Sequence, residues 1–345
     1  LTQGPAGFTM GATHWEAALI VPRILSTGFY VPAKILTNDE LATRVETSDE
    51  WIFSHTGIRT RRLAADDQAT SDLAIEAGRK ALERAHLDPK DVDLILVATS
   101  TPDFLGFPST ASLVQNGLGA VNAGAMDLSA ACTGFIYALE TARTFVVSGA
   151  ARFVLVIGAE VFSRIVDWND RNTCILFGDG AGAVLVGPSS PELPEPWFAP
   201  SLLRSDGSGG SCLLRPAGGT RKPVPERPSE LAVAMDGKRV YLFAVTVVKD
   251  SILEIITKNG LTLEQIDWVV PHQANYRIVA AAAQRLGLPL ERFYLNMERF
   301  ANTSGATIPL ALAEMDEAGL LKRNQVIVTV GFGAGLAWGA NLFRW

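Results

Sequence analysis

The chain is short of the residues that most enzymes draw on. Its 345 residues include three cysteines and four histidines. Three cysteines in so long a chain make no disulfide framework, which points to a reducing cytosol. They show no CxxC spacing, and no two histidines lie close enough in sequence to suggest a zinc pair, so no metal is expected. Positive charge is scarce too. Lys+Arg number 30 against 36 Asp+Glu, a net charge of −6, the wrong sign for a bulk nucleic-acid binder. No apolar run approaches the ~20 residues that span a bilayer, so no membrane segment is expected. The opening LTQGPAGFTMGATHWEAAL lacks a charged region followed by a long apolar stretch and reads as no signal peptide. Residues 1–23 read as a tail or leader, with the part up to Met10 either an expression leader or a mobile tail.

What is present is apolar. Hydrophobic residues make up 48% and charged residues 19%, which excludes a disordered chain and suits a large core, two domains or one duplicated unit. Nine of the 18 prolines fall between Gly187 and Ser229. With DGSGG (206–210) and AGG (217–219), that stretch reads as turns and irregular loop dividing the chain.

Short β-branched runs at Leu94–Ala98, Phe153–Ile157, Trp268–Val270 and Val326–Val330 read as buried parallel strands. Residues 71–86, 135–147 and 307–318 have helical apolar spacing, the last two stopping at Gly149 and Gly319. Helix then strand, repeated, argues an α/β architecture. The two halves also resemble each other. AHLDPKDVDLILVA (85–98) matches NGLTLEQIDWVVPH (259–272), and CTGFIYALETARTFVVSG (132–149) parallels NTSGATIPLALAEMDEAG (302–319). This reads as a duplication, with halves at 24–188 and 189–345 and a site where they meet. It sets Cys132 opposite Asn302, each near the start of a helix. It puts His272 just beyond a strand end, where open α/β sheets bind ligands.

Cys132 stands among small residues before an amphipathic helix. The helix dipole there favours thiolate, a soft nucleophile suited to thioesters. The plainer reading is a buried core cysteine, and it is preferred for Cys174, in a strand-like run, and for Cys212. His272, in VVPHQANYR, is set apart by its polar neighbours Gln273 and Asn275; His14 and His86 read as incidental. Asn302, in FANTSGAT, also suits a helix cap. Together the three divide the labour of thioester condensation. The thiolate takes an acyl group, while imidazole and amide N–H groups stabilise an enolate. Loss of CO₂ supplies that carbanion without a carboxylate base. Backbone N–H groups near Cys132 or in the Gly-rich 331–335 stretch offer a second oxyanion hole. GDGAGA (178–183) fits G-x-G-x-x-A but runs into a strand-like stretch, so it is not read as a dinucleotide fingerprint. GFGAGLAWG (331–339) reads as a tight turn near a site.

From about Ile24 to Trp345 the strings TSDEWI–TGIRTRR (47–62), AACTGF (130–135), DR with FGDGAGAVL (170–185), PHQANYRI (271–278), NTSGAT (302–307) and the GFGAGLAWG loop resemble, in this order, the β-ketoacyl-[acyl-carrier-protein] synthase III family of the thiolase superfamily. The resemblance implies a five-layered αβαβα fold and a cytoplasmic homodimer. It implies condensation of an acyl-CoA primer, acetyl-CoA or another short one, with malonyl-[acyl-carrier protein], initiating fatty acid synthesis. Coenzyme A thioester is then a substrate and no cofactor is needed. Cys132 resembles the acylated nucleophile, and His272 and Asn302 the decarboxylation pair. Trp51 and Arg171 resemble residues that sandwich the CoA adenine. Phe107 resembles the residue closing the primer pocket across the dimer interface, and Phe332 a Phe beside the Cys and His. Arg277 matches a carrier-docking arginine.

There are departures. His55 stands at the CoA entrance where the family often has arginine; Arg59, Arg61 and Arg62 are candidates to compensate. Gln284–Arg285 and Tyr241–Leu242 replace common Lys-Lys and Phe-Lys pairs, thinning the basic surface for an acidic carrier. The alternative is a polyketide-starter or other thiolase-fold acyltransferase using a longer or branched acyl-CoA. A Cys-His-Asn peptidase is opposed by the duplicated halves, and a scaffold homologue by the intact Cys132, His272 and Asn302.

Overall fold

The structure, a computed structural model, describes residues 20–189 and 197–345. Most of the segment read as a leader, with His14, lies outside the described residues. Its last two residues are strand, because the first strand starts at Pro22. In chain order the main strands are β1 (Pro22–Tyr30), β2 (Leu94–Ala98), β3 (Gly124–Leu128), β4 (Val154–Val161), β5 (Asp179–Pro188), β6 (Leu202–Ser205), β7 (Trp268–Pro271), β8 (Val326–Gly333) and β9 (Ala337–Arg344). The helices that matter for the site are α1 (Asp49–Thr56), α2 (Thr70–Ala85), α3 (Thr110–Leu118), α4 (Gly134–Val147), α5 (Gly237–Lys258), α6 (Tyr276–Leu286) and α7 (Thr307–Glu317).

Beside two small two-stranded sheets, two main sheets form, ordered β1-β5-β4-β2-β3 and β6-β9-β8-β7. Each begins with two antiparallel pairings, β1 to β5 to β4 and β6 to β9 to β8, followed by one parallel pairing, β4 to β2 and β8 to β7. The counterpart of β3 is reduced to a single parallel bridge between Phe293 and Val269. A 3₁₀ turn at Pro89–Asp91 leads into Leu94, and another at Leu263–Gln265 leads into Trp268. The duplicated pattern in the sequence is therefore a duplicated fold.

Both faces of the inner strands are covered, which is why they read as unbroken apolar runs. Successive side chains alternate between faces. Ile95 and Val97 pack with Leu73, Ala77 and Val114 of α2 and α3. Leu94, Leu96 and Ala98 pack with Phe135 and Leu139 of α4 and Ile308 and Leu312 of α7. The far face of the second sheet packs Val328, Val330 and Leu342 under Val248 and Ile252 of α5 and Val279 and Ala282 of α6. The layers are thus α2/α3, sheet, α4/α7, sheet, α5/α6: the five-layered thiolase fold. Each fully buried Leu, Ile or Val contributes roughly 1.5–3 kcal/mol relative to exposure.

The central layer lies very close to the first sheet. A Cβ on Gly182 would stand 2.2 Å from the Leu310 N, and one on Gly158 2.2 Å from the Gly305 O. Gly180 and Gly182 of GDGAGA therefore serve close approach of α7 to β5, and β5 runs straight through them with no helix following.

Two local expectations need correction. Cys174 ends the short helix Arg171–Cys174 and not a strand; Asp170 caps that turn by accepting from the Asn172 N–H and the Thr173 hydroxyl. The proline-rich division is not all irregular. It contains β6 and the strand Leu213–Leu214, which pairs with Ala234–Met235.

Candidate active site

Residues from both halves meet around one cavity of about 630 Å³, lined by Cys132, His272, Asn302, Phe332, Trp51, His55 and Arg277 among others. Cys132 lies in the 3₁₀ turn Ala131–Thr133 that opens α4. Asn302 precedes the 3₁₀ turn Ser304–Ala306 that opens α7. His272 follows the last residue of β7, its N–H donating to the Val330 carbonyl at 2.7 Å.

The chemistry of the cluster is set by burial. Cys132, His272, Asn302 and Phe332 are each less than a tenth exposed. Burial pushes the Cys132 thiol up to about 12. The Ser304 hydroxyl, donating to Sγ at 3.3 Å, pulls the other way, and the Glu160 charge adds to the rise. The thiolate expected from the helix start is therefore not the resting form, because desolvation of a charged sulfur outweighs the dipole of one helix turn. Burial also pushes the His272 imidazole down to about 3. Thiol and imidazole rest uncharged.

Hydrogen bonds orient these groups. Asn302 Oδ1 accepts the Ser304 N–H at 2.8 Å, an Asx-type turn; the cap position itself falls to Thr303, so Asn302 is not the helix cap it suited in the sequence. That bond leaves the Nδ2 amide as the donor Asn302 can offer. The Asn302 backbone is tied into the first half, donating to the Leu176 carbonyl and accepting from the Gly178 N–H. His272 Nδ1 lies 2.7 Å from Thr307 Oγ1, and the Phe332 ring stands edge-on 5.0 Å from the imidazole. A Cβ on Gly333 would come within 2.9 Å of Cys132 Cβ, so only glycine lets that backbone abut the cysteine.

Beneath the cluster lies an acid that sequence reasoning passed over. Glu160, at the end of β4, is fully buried. It accepts from the Ser100 and Gly305 N–H groups and from the Thr99 and Thr101 hydroxyls. Burial pushes its carboxyl up to about 7. Its one visible signal was a lone acid in the apolar run VLVIGAEVF. Ser304 and Thr307 were also missed as site residues, although both sit in the NTSGAT string.

At the mouth, Trp51 of α1 is sandwiched already. His55 stacks on the ring at 4.2 Å and 20°, and the Arg171 guanidinium lies 3.9 Å over it. His55 Nδ1 also lies 2.7 Å from the Trp51 carbonyl O. His55 thus buttresses Trp51. The arginines named as substitutes for it are occupied. Arg61 is fully buried against Asn38 and the Ile175 carbonyl. Arg59 pairs with Asp49 and Glu298, and Arg62 donates to the Pro32 carbonyl. Arg215, which the sequence did not single out, lines the cavity together with Arg277. Phe107 does not join this cavity; it is 86% exposed.

Fold and chemistry together define a thiolase-fold acyltransferase. The family model for 3-oxoacyl-[acyl-carrier-protein (ACP)] synthase III matches residues 126–207, and that for its C-terminal part matches 256–345. A β-ketoacyl-[acyl-carrier-protein] synthase III of Caldanaerobacter subterraneus subsp. tengcongensis is 50% identical over 329 residues, 94% of this chain and 98% of that one. The crystal structure of 3-oxoacyl-[acyl-carrier-protein] synthase III from Aquifex aeolicus VF5 is similar at TM-score 0.87 and 42% identity, covering 94% of this chain and 100% of that one. The priming β-ketosynthase from the R1128 polyketide biosynthetic pathway is similar at TM-score 0.87 and 38% identity, over 94% and 96%. The chain belongs to the β-ketoacyl-[acyl-carrier-protein] synthase III family.

Proposed function

We propose that Cys132 carries the acyl group, and His272 and Asn302 the decarboxylation, in the reaction this enzyme catalyses. That reaction condenses an acyl-CoA primer with malonyl-[acyl-carrier protein] to a 3-oxoacyl-[acyl-carrier protein], initiating fatty acid synthesis. The polyketide-starter alternative is not favoured. The observation that carries the assignment is the convergence of a thiol, an imidazole and an amide, from both halves, on one cavity.

In the first stage the Cys132 sulfur attacks the acyl-CoA carbonyl. Its proton leaves with CoA as the free thiol, and backbone N–H groups around Cys132 and Gly333, which abut each other, would hold the oxyanion. In the second stage the malonyl thioester loses CO₂. The resulting enolate oxygen takes hydrogen bonds from His272 and Asn302, and its carbon attacks the acyl-Cys carbonyl, releasing the Cys132 thiolate, which takes one proton from solvent to return to the resting thiol. An uncharged imidazole suits a hydrogen-bond donor to a developing oxyanion. CO₂ loss provides the carbanion, so the chemistry calls for no cofactor beyond the CoA thioester substrate. His272→Ala and Asn302→Ala should abolish malonyl decarboxylation while sparing acylation of Cys132. Equal losses in both steps would overturn the division of roles.

The CoA adenine would stack on Trp51 once Arg171 lifts from the ring, with Phe332 shaping the inner cavity. Its phosphates would meet Arg215 and Arg277, which line the cavity as Arg59, Arg61 and Arg62 do not, while His55 supports Trp51. Arg277, whose Nε donates to the Ser54 carbonyl at 3.1 Å, is also the cation offered to an acidic carrier. The reading includes a homodimer. The first sheet ends on β3, an unpaired edge, and Met126, Val121, Phe104, Leu105 and Phe107 are exposed apolar residues. A second copy would cover such an edge and bring Phe107 to its partner's pocket. Sedimentation would show a monomer if this were wrong. Among the described residues no helix is long and apolar enough to cross a membrane. The three cysteines are free and buried, which suits the cytoplasm.

A further inference from the structure

We propose that Thr307 is a positioning residue that holds His272 in the tautomer carrying its proton on Nε2. This rests on the donor role proposed for His272. An imidazole without charge has one N–H, and which nitrogen bears it is set by the hydrogen bond at the other. Here the other is Nδ1, 2.7 Å from Thr307 Oγ1, with both side chains buried.

Two arrangements are open to that pair. In one, Nδ1–H donates to Oγ1 and the hydroxyl donates onward to the Ser304 carbonyl, 3.0 Å away. Nε2 is then a bare lone pair. In the other, the hydroxyl donates to Nδ1 and Nε2 carries the proton. The Ser304 carbonyl selects the second: it already accepts the Thr307 N–H, so the hydroxyl is free to donate across the 2.7 Å to Nδ1. The Thr307 side chain is β-branched at the first turn of α7 and has few rotamers to choose from, so the helix keeps its Oγ1 beside Nδ1. Since α7 starts directly after the Asn302 turn, one stretch of backbone places Asn302 and, through Thr307, the His272 proton.

The test labels histidine with ¹⁵N. Four histidines make the spectrum simple, and a His272→Gln variant assigns the signal. The resting enzyme should show a protonated Nε2 and a pyridine-like Nδ1 on His272. Thr307→Val should give a mixed or reversed tautomer and slow malonyl decarboxylation by about 10- to 100-fold, with Cys132 acylation within about threefold. Thr307→Ser should restore both the spectrum and the rate. A bare Nε2 in the resting enzyme overturns the proposal, as does a Val variant with unchanged spectrum and decarboxylation. If Thr307→Val does not fold, the wild-type and Ser spectra still decide. The spectrum is read without substrate, so it stands apart from the role of His272: loss of that role would appear instead as a His272→Ala variant that still decarboxylates.

Discussion

Ala131 and Ser304 each open the 3₁₀ turn that leads into α4 and α7, and both hold a positive φ of 48°. The duplicated halves therefore share a turn whose first residue sits in a backbone region that L-residues seldom use. That conformation costs roughly 1–2 kcal/mol at a non-glycine residue, and it persists where surrounding structure over-determines it. The small residue on each side keeps the cost low.

Ala131→Val should destabilise the fold by more than about 2 kcal/mol, since a β-branched residue fits positive φ poorly. Ala131→Gly should change stability by less than about 1 kcal/mol, because relieved strain and added chain entropy oppose each other. Chemical denaturation of both variants checks this.

The Cys132 thiol, pushed up to about 12 by burial, should react with iodoacetamide at a rate still climbing with pH beyond 9. A plateau near neutral pH would mean a resting thiolate. Ser304→Ala removes the hydroxyl that donates to Sγ. It should slow acylation by about tenfold, the scale of one hydrogen bond to a charged group.

Glu160 gives the fold a pH signature. Its folded value, raised by burial to about 7, stands above the ordinary carboxylate value of 4.5. Between those values the folded state holds a proton that the unfolded state has lost. Stability therefore falls as pH rises through this window, by about 3 kcal/mol in all. Glu160→Gln keeps the neutral form and should flatten the fall. Glu160→Ala, which leaves the buried Ser100 and Gly305 N–H groups without this acceptor, should lose about 2–4 kcal/mol at any pH. Melts from pH 4.5 to 8 separate the three.

At the mouth, the 3.9 Å between the Arg171 guanidinium and the Trp51 ring is too narrow for a stacked base, which needs about 3.5 Å on each side. If CoA stacks on Trp51 as proposed, Arg171 lifts to admit it. Trp51→Ala should raise KM for acyl-CoA by about tenfold with kcat little changed, the loss expected for a stacking platform. Arg171→Ala should raise it less, because the residue both covers the base and blocks it.

The sequence made the skeleton of this account visible because the fold is locally consistent. Leu94–Ala98 is a strand residue for residue, and the helix read at 71–86 runs Thr70–Ala85. The repeat was legible, but its register at the catalytic turns was not: the 3₁₀ turn Ala131–Thr133 corresponds to Ser304–Ala306, so the counterpart of Cys132 is Gly305, and Asn302 stands three residues before it. What escaped depends on contacts between distant segments. Ser304 reaches Cys132 across 172 residues, and Gly305 reaches Glu160 across 145. Cys132's state was misjudged for the same reason: the helix start shows in the string, whereas the desolvation that overrides it comes from the opposite half. Arg61 read as a candidate cation for the CoA entrance until the fold enclosed it.

The central claim is that Cys132 becomes the acyl carrier. Intact-mass and peptide mass spectrometry across a panel of acyl-CoAs, without malonyl-[acyl-carrier protein], tests it most directly. One acyl group should accumulate per chain, on the peptide containing Cys132, and be absent from Cys132→Ser. Adding malonyl-[acyl-carrier protein] should then discharge it as a 3-oxoacyl product. An acyl adduct that persists in the Cys132→Ser protein, together with full condensation activity, would contradict the account.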